Sequence, residues 1–166
     1  MPKIKVKYHT DIDPICAAHD GEWIDLRCAE YVLMNFGEYR LISLGVSIEL
    51  PKGYEAIVIP RSSTFKKYGI LLANSVGLID NAYCGDDDIW RFPAVCLRDC
   101  SEIPKNERIC QFRIQKIQQD VEIETVEILG NENRGGVGPT GRVEHNGTPG
   151  GFSRVRFAAS AIHGPF

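Results

Sequence analysis

Carboxylates are concentrated in one glycine-flanked stretch of the chain, GLIDNAYCGDDD at residues 77–88. Asp80 directly follows an apolar run, and Tyr83 separates it from the three consecutive aspartates at residues 86–88. A carboxylate beside a substrate can act as a general base that takes the proton of an attacking water. The same residues could equally form an Asx turn at Asp80 followed by a solvated loop. The stretch alone leaves both interpretations open.

Two further patches carry groups that suit phosphate. PRSS, at residues 60–63, lies where a predicted strand meets a predicted helix, and helix N–H groups with a planar guanidinium favour anions there. NENRGGVGPTG, at residues 131–141, could form a phosphate-covering flap through Arg134 and Thr140, although it matches neither a P-loop nor a Rossmann pattern. An ordinary capped turn and a linker are the respective alternatives.

Three isolated polar residues complete the set of candidates. Asp25 follows an apolar pair in GEWIDLRCAE and precedes Arg27. Asn74 lies at the turn of a predicted hairpin within ILLANSVGLIDNAYCG, whose exposed backbone could hydrogen-bond a base edge. Gln111 interrupts the apolar strand pattern of ERICQFRI, where an amide needs a partner. An outward-facing strand charge, a turn and a cross-strand pair would explain these residues without a ligand.

Length and composition narrow the class of protein. The 166 residues suit one domain, and a net charge of −3 with a pI near 5.8 provides no basic face for nucleic acid or an anionic membrane. No apolar stretch approaches the roughly 20 residues of a membrane span, and the amino terminus alternates like a strand rather than a signal peptide. Six cysteines without a Cys-x-x-Cys pair indicate reduced, mostly buried thiols in the cytoplasm.

Short strand-like runs separated by Gly, Pro, Asn and Asp clusters predict an all-β sandwich or barrel. The runs are KIKVKY, YVLM, LISLGVSIEL, YEAIVIP, ILLA, FPAVCLRD, RICQFRIQKI and VEIETVEIL. One short helix is predicted to begin near Ser62 and Ser63, which could cap it, and to end at Gly69. We expect a barrel core over residues 1–129, a glycine-rich arm over 130–141 and a tail over 142–166.

Along the chain the candidates form five patches, which are GEWIDLRCAE, PRSS, ILLANSVGLIDNAYCG, ERICQFRI and NENRGGVGPTG. In this order, from about Trp23 to Gly141, they resemble the trimeric deoxyuridine triphosphatases (dUTPases). The most specific piece is the run from Gly77 to Asp80 with Tyr83 and a following glycine, preceded by PRSS and followed by RICQ. The resemblance implies a distorted jelly-roll β-barrel of the β-clip type, assembled as a homotrimer with shared active sites. It also implies Mg²⁺-dependent hydrolysis of dUTP to dUMP and pyrophosphate, which limits uracil incorporation into DNA and supplies dUMP for dTMP synthesis.

The resemblance also assigns roles to individual residues. Asp80 would deprotonate the water that attacks the α-phosphorus, and the Tyr83 ring would occupy the space that a 2′-hydroxyl needs. Asp25 would hydrogen-bond water on the Mg²⁺ ion. Uracil recognition would fall to Asn74, Gly77 and Ile79. The phosphate chain would be held by Arg61, Ser62, Ser63, Gln111, Arg134, Gly135, Gly136 and Thr140.

The glycine-rich arm departs from the family pattern. Many members have a phenylalanine there as a lid over uracil, and this chain has Val137. Arg134 immediately precedes Gly135, whereas the arm's arginine commonly stands three residues before the glycine pair. Another ring should therefore cover the base. Phe92 in WRFPAV is the first candidate, with a core position as the alternative, and Phe152 in the tail is the second.

Two other functions remain as alternatives to dUTP hydrolysis. A dCTP deaminase would share the fold and the RSS patch, but it needs a glutamate where Trp90 stands, and no glutamate occurs between Glu55 and Glu102. A dUTP-sensing regulatory protein would bind a protein partner without needing turnover. The intact Asp80 argues against binding alone, while the tail at 142–166, longer than is usual in the family, leaves a second role open.

Overall fold

The computed structural model describes residues 2–16 and 22–133. The chain divides into two units, Met1–Glu122 and Ile123–Phe166. All the strands and the helix of the described residues belong to the first unit. The described part of the second unit, residues 123–133, contains neither strand nor helix.

Eleven short strands and one short helix make up the first unit, which confirms the all-β prediction. The elements are β1 (Lys5–Tyr8), β2 (Ile24–Arg27), β3 (Val32–Asn35), β4 (Tyr39–Ser43), β5 (Val46–Glu49), β6 (Tyr54–Pro60), α1 (Thr64–Tyr68), β7 (Ile70–Leu72), β8 (Gly77–Ile79), β9 (Arg91–Cys96), β10 (Cys100–Ile103) and β11 (Arg108–Lys116). No helix in the described ranges has the length and apolar character needed to cross a membrane.

Antiparallel pairing arranges these strands in four small sheets. The largest has the order β2-β11-β6-β8, the second has the order β4-β9-β7, and two pairs, β1-β5 and β3-β10, complete the fold. The central strand β11 places Gln111 opposite Asp25 on β2 and opposite Ile59 on β6. Strand β8 pairs only with β6 and therefore lies at a sheet edge.

The core is built from the inward-facing residues of these strands. On β9 the burial alternates, so that Phe92, Ala94 and Cys96 are buried while Arg91 is exposed. Trp90 and Phe112 are the other large rings of the core, with centroids 5.2 Å apart in an edge-to-face arrangement. Phe92 has no exposed surface. The prediction of Phe92 as a lid is therefore wrong, because its ring has no free face, and the core interpretation is correct.

The helix α1 begins and ends close to its predicted limits, but its cap differs. Ser63 is the N-cap residue, yet its side chain makes no capping hydrogen bond within the described structure. The buried Thr64 hydroxyl instead accepts the Arg61 N–H (3.1 Å) and donates to the Ile109 carbonyl oxygen (2.7 Å). Gly69 ends the helix at φ +64, as predicted, and its N–H donates to the carbonyl oxygen of Phe65.

One predicted strand, VEIETVEIL at residues 121–129, is absent from the described structure. Its period-two pattern is real, but a strand forms only where a neighbouring strand satisfies its backbone N–H and C=O groups. Its large apolar side chains are exposed, with Ile123, Ile128 and Leu129 each more than four-fifths accessible.

The cysteines are all free thiols, as predicted, but only half of them are buried. Cys28, Cys96 and Cys110 lie in the core, whereas Cys16, Cys84 and Cys100 are exposed. Burial raises the pKa of Cys28 to about 11 and raises that of Cys110 well above its ordinary value. Cys28 and Cys110 therefore stay protonated and unreactive near neutral pH.

Candidate active site

A cleft of about 340 Å³ lies beside the edge strand β8 and the start of β9. This volume is in the range of small-molecule sites, which combine apolar walls with a few polar groups. Its walls are mainly apolar and include Val58, Leu72, Ile79, Ile89 and Pro93. Its polar side chains are Asn74, Asp80, Tyr83 and Arg91. The cleft can hold one flat, partly apolar ring with polar contacts around its edge.

The segment that carries Asn74 is a crossover between two sheets, not the predicted hairpin. Strand β7 pairs with β9, and β8 pairs with β6, so the two strands do not form a ladder with each other. The turn between them is closed by the Ser75 N–H, which donates to the Leu72 carbonyl oxygen, with Ser75 at φ +63. Asn74 does lie in this turn, as predicted.

The glycine at position 77 suits the close approach of β8 to β6. A Cβ atom there would meet the Val58 Cβ at 3.1 Å, tighter than most real contacts. Gly77 and Ile79 both line the cleft, on the strand that lacks a second partner in the described sheets. The unpaired backbone edge of β8 is therefore available to the edge of a bound ring.

The Asp80 carboxylate is held by one oxygen. The Ala82 N–H (2.8 Å) and the Tyr83 N–H (3.1 Å) both donate to its Oδ1, which confirms the predicted Asx turn. Its Oδ2 has no hydrogen-bond partner among the described residues, and the side chain is exposed at the rim of the cleft. The turn therefore orients the carboxylate and leaves one oxygen able to accept a proton.

The rest of the acidic stretch supports the turn. The Tyr83 hydroxyl donates to the Ile89 carbonyl oxygen (3.3 Å), and Asp88 Oδ2 accepts the Gly85 N–H (2.7 Å). Residues 86 and 87 are exposed, as expected for a solvated loop. Asp88 is half-buried and closes the turn, a structural role that the sequence did not reveal.

A second group of polar residues surrounds Asp25. Its Oδ1 is 2.7 Å from Arg61 Nε, and its Oδ2 is 3.0 Å from Arg108 Nη1. The Gln111 amide donates weakly to the Pro60 carbonyl oxygen (3.4 Å). Arg108 was missed by the sequence reasoning, although it stands three residues before Gln111 in the same strand. Asp25 thus holds two guanidinium groups side by side, where they can attract an anion.

The two serines beside Arg61 differ little in their surroundings. Ser62 is exposed and Ser63 is half-buried, and neither hydroxyl makes a hydrogen bond to any part of the chain that the structure describes. Both hydroxyls are free to bind an external group.

The two polar groups are far apart within one chain. Ile79 pairs with Ala56 on β6, so Asp80 lies level with Glu55, while Arg61 follows the opposite end of that strand. Six residues of extended strand separate these levels by roughly 20 Å. One chain therefore does not bring Asp80 and Arg61 to the same phosphate.

The predicted arm and tail residues lie outside the described residues. They are Arg134, Gly135, Gly136, Val137, Thr140 and Phe152. Within residues 2–16 and 22–133, no group of three or more His, Cys, Asp or Glu side chains could hold a metal ion.

Comparison with known proteins identifies a family. The dUTPase family model matches residues 23–141. The SPbeta prophage-derived deoxyuridine 5'-triphosphate nucleotidohydrolase YosS of Bacillus subtilis is 51% identical over 140 residues, covering 84% of this chain and 98% of that protein. The deoxyuridine 5'-triphosphate nucleotidohydrolase of Nautilia profundicola is 33% identical, with the same coverage of both chains.

Solved structures support the fold. The dUTPase of Streptococcus mutans superposes with a TM-score of 0.63 at 22% identity, over 70% of this chain and 98% of that one. A D81N variant of the Staphylococcus bacteriophage 80alpha dUTPase with dUpNHpp gives a TM-score of 0.66 at 19% identity, over 78% and 99%. The jelly-roll architecture predicted from the sequence is the fold of these proteins.

Proposed function

Because this chain belongs to the dUTPase family and hydrolyses dUTP, we propose that Asp80 activates the water that attacks the α-phosphorus. The observation that carries the proposal is the Asp80 carboxylate, with Oδ1 fixed by two backbone N–H groups and Oδ2 unpaired among the described residues at the cleft. Oδ2 takes a proton from water, the water oxygen bonds to the α-phosphorus, and the bond to the bridging oxygen breaks. The products are dUMP and pyrophosphate.

The cleft binds the deoxyuridine half of the substrate. Asn74 and the free edge of β8 at Gly77 and Ile79 hydrogen-bond the uracil edge, while the apolar walls contact its ring. Tyr83 is fixed at both its N–H and its hydroxyl, so its ring is a rigid barrier against a 2′-hydroxyl. Selection of a deoxynucleotide then follows from the shape of the cleft.

The group around Asp25 binds the triphosphate half. Arg61 and Arg108 provide paired guanidinium groups that Asp25 orients, and this support was not foreseen from sequence. The hydroxyls of Ser62 and Ser63 and the Gln111 amide add donors. The arm residues Arg134, Gly135, Gly136 and Thr140 remain proposed contacts of the terminal phosphates.

Mg²⁺ remains the proposed cofactor, because a bound cation neutralises the charge of the triphosphate. The described residues offer no cage of ligands, and both Asp25 oxygens already bind arginine. This arrangement fits an ion held chiefly by phosphate and water, since Mg²⁺ keeps part of its hydration shell. Each Asp25 oxygen retains an acceptor site for a metal-bound water. A bacteriophage phi11 dUTPase variant is described with a structural Mg(II) ion.

A homotrimer with shared sites is the proposed assembly. The roughly 20 Å between the levels of Asp80 and Arg61 along β6 supports an arrangement in which one triphosphate meets these residues from different chains. The alternating, exposed segment at residues 121–129 has no strand partner in its own described chain, so an edge of a second copy would complete it. Closed cyclic symmetry then places every chain in the same environment.

A substrate panel tests the proposed function. We expect pyrophosphate release from dUTP with Mg²⁺, and release at least about 100-fold slower from dCTP, because a site that pairs the uracil edge strongly rejects the unmatched cytosine edge. Release from dTTP and UTP, which present the same pairing edge as dUTP, should also be slower, because the cleft walls meet the 5-methyl group of thymine and the Tyr83 ring meets the 2′-hydroxyl. Chelation of Mg²⁺ should lower the rate with dUTP. Equal rates with dUTP and UTP would contradict the role of Tyr83, and deamination of dCTP would contradict the reaction itself. The described structure favours neither a deaminase nor a sensor that only binds.

A further inference from the structure

Arg91 lines the cleft with an exposed, positively charged side chain. It is the first residue of β9 and is exposed, whereas its sequence neighbours Trp90 and Phe92 are fully buried. It is the one positively charged side chain that lines the cleft within the described residues. Period-two alternation in WRFPAV already predicts that Arg91 lies on the opposite face from both rings.

The Arg91 guanidinium has no partner among the described residues, neither a hydrogen bond nor an ion pair nor an aromatic ring. Every other arginine there has one. Carboxylates pair with Arg27, Arg40, Arg61 and Arg108. Arg98 donates to the last carbonyl oxygens of α1, and Arg113 lies 5.6 Å from the Trp23 ring centroid. The Arg91 guanidinium, which lines the cleft, therefore has no structural contact within the described residues and is available to a ligand.

The strand register brings Arg91 close to the turn that contains Asn74, the proposed uracil-binding residue. Leu72 pairs with Ala94, and the Ala73 N–H donates to the Pro93 carbonyl oxygen at 2.8 Å. The next residue of the turn, Asn74, therefore runs alongside the first residues of β9. The Arg91 backbone lies two residues, or roughly 7 Å, from that of Pro93 in the cleft wall.

We propose that the Arg91 guanidinium stacks on the open face of the uracil ring and closes the pocket. This inference rests on the proposed function and adds a base-binding residue to it. Arginine suits the position, because its plane is weakly hydrated and packs flat against aromatic rings. Trp90 also lines the cleft, but it is fully buried, as is Phe92, so Arg91 is the exposed planar group at the start of β9. The phosphate chain has its own arginines at Asp25.

Three substitutions separate stacking from phosphate binding. Arg91→Ala removes both the planar guanidinium and its positive charge. Arg91→Lys keeps the positive charge without the planar group, and Arg91→Phe keeps a planar group without the charge. Binding of deoxyuridine, which has no phosphate, is measured by calorimetry at low and high salt, and thermal melts confirm that each variant folds. We expect Arg91→Ala to weaken deoxyuridine binding about 2- to 30-fold, the range of a cation–π contact. Arg91→Phe should restore most of the affinity and Arg91→Lys little of it.

Other results would overturn the proposal. Unchanged deoxyuridine affinity in Arg91→Ala would show that the side chain does not cover the base. A second such result is that Arg91→Lys, but not Arg91→Phe, restores affinity, and only for dUMP or a non-hydrolysable dUTP analogue. Arg91 would then be a phosphate-binding residue. The proposed function fails separately, through absence of dUTP hydrolysis by the unchanged protein, so the two failures are distinguishable.

Discussion

Asp80→Asn and Arg61→Ala, placed on separate chains, should restore dUTP hydrolysis when the two inactive proteins are co-assembled. Each substitution removes one half of the proposed site, the water-activating carboxylate or the phosphate-binding guanidinium. The two residues stand at opposite ends of β6, roughly 20 Å apart along the strand. We therefore expect a site that contains both residues to take them from two chains.

The expected activity follows from counting chains. In a random one-to-one mixture, the chain that supplies Asp80 is intact there with a chance of one half, and so is the chain that supplies Arg61. About a quarter of the sites then carry both residues, so the mixture should reach about a quarter of the wild-type rate. Asp80→Asn alone should lose about 100- to 10,000-fold, as loss of a general base does. Arg61→Ala alone should lose about 100- to 1,000-fold, the usual effect of removing one group that stabilises the developing charge.

Co-refolding from urea allows the chains to exchange, and pyrophosphate release from dUTP measures the rate. The matched control is the double variant Asp80→Asn/Arg61→Ala mixed with wild type. Shared sites predict about a quarter of the wild-type activity in that mixture, whereas sites within one chain predict about a half.

The activities of the two mixtures together can refute the shared-site assembly. If co-refolded single variants stay as inactive as either alone while the control retains about half the activity, each site lies within one chain. The strand-register argument would then be wrong, and with it the shared-site assembly.

Two further predictions concern stability. Thr64→Val should lower the free energy of unfolding by about 1–2 kcal/mol, since it removes the buried hydroxyl that accepts the Arg61 N–H and donates to the Ile109 carbonyl oxygen. Ser63→Ala should change it by less than about 0.5 kcal/mol, because the Ser63 side chain makes no capping hydrogen bond. Urea titrations compare the two variants, and equal effects would contradict the stabilising role of the Thr64 hydroxyl. Burial raises the pKa of Cys28 from 9.0 to about 11, so the unfolded chain loses that proton first as pH rises, and stability should fall between pH 9 and 11. Urea titrations across that range should show a smaller fall in Cys28→Ala, and an identical fall would exclude this thiol.

Sequence pattern identified most strands because period-two burial is a local property. Which strand each one pairs with depends on residues far away in the sequence, so the pattern does not predict it. ILLANSVGLID reads as a hairpin, yet β7 and β8 pair with strands of different sheets, because those sheets contain the neighbours that complete their ladders. The run at residues 121–129 reads as a strand for the same reason, and no described neighbour completes it.

The helix start shows a similar limit. Serine at residue 62 or 63 is a reasonable cap by type, but the hydroxyl that makes hydrogen bonds at the helix start belongs to Thr64, the first helical residue, and one of its partners is a carbonyl oxygen 45 residues away. Only the folded chain brings that acceptor near. By contrast, Gly69 ends the helix through its own backbone freedom at φ +64, so that limit could be predicted.

The candidate site was predictable in its residue types and only partly in its geometry. The Asx turn at Asp80 and the position of Asn74 follow from local chemistry. The pairing of Asp25 with Arg61 and Arg108 depends on three strands meeting. The sequence prediction chose the ring of Phe92 and missed its neighbour Arg91, although period-two alternation places these two residues on opposite faces of β9.

Turnover of dUTP by Asp80→Asn, measured as pyrophosphate release with Mg²⁺ beside wild type, tests the central claim most directly. The substitution keeps an oxygen that can accept the Ala82 and Tyr83 N–H groups, so the turn and nucleotide binding should persist. The amide cannot take a proton from water, so turnover should fall about 100- to 10,000-fold while the affinity for a non-hydrolysable dUTP analogue stays within about threefold. Wild-type turnover in this variant, with the fold intact, would contradict Asp80 as the base.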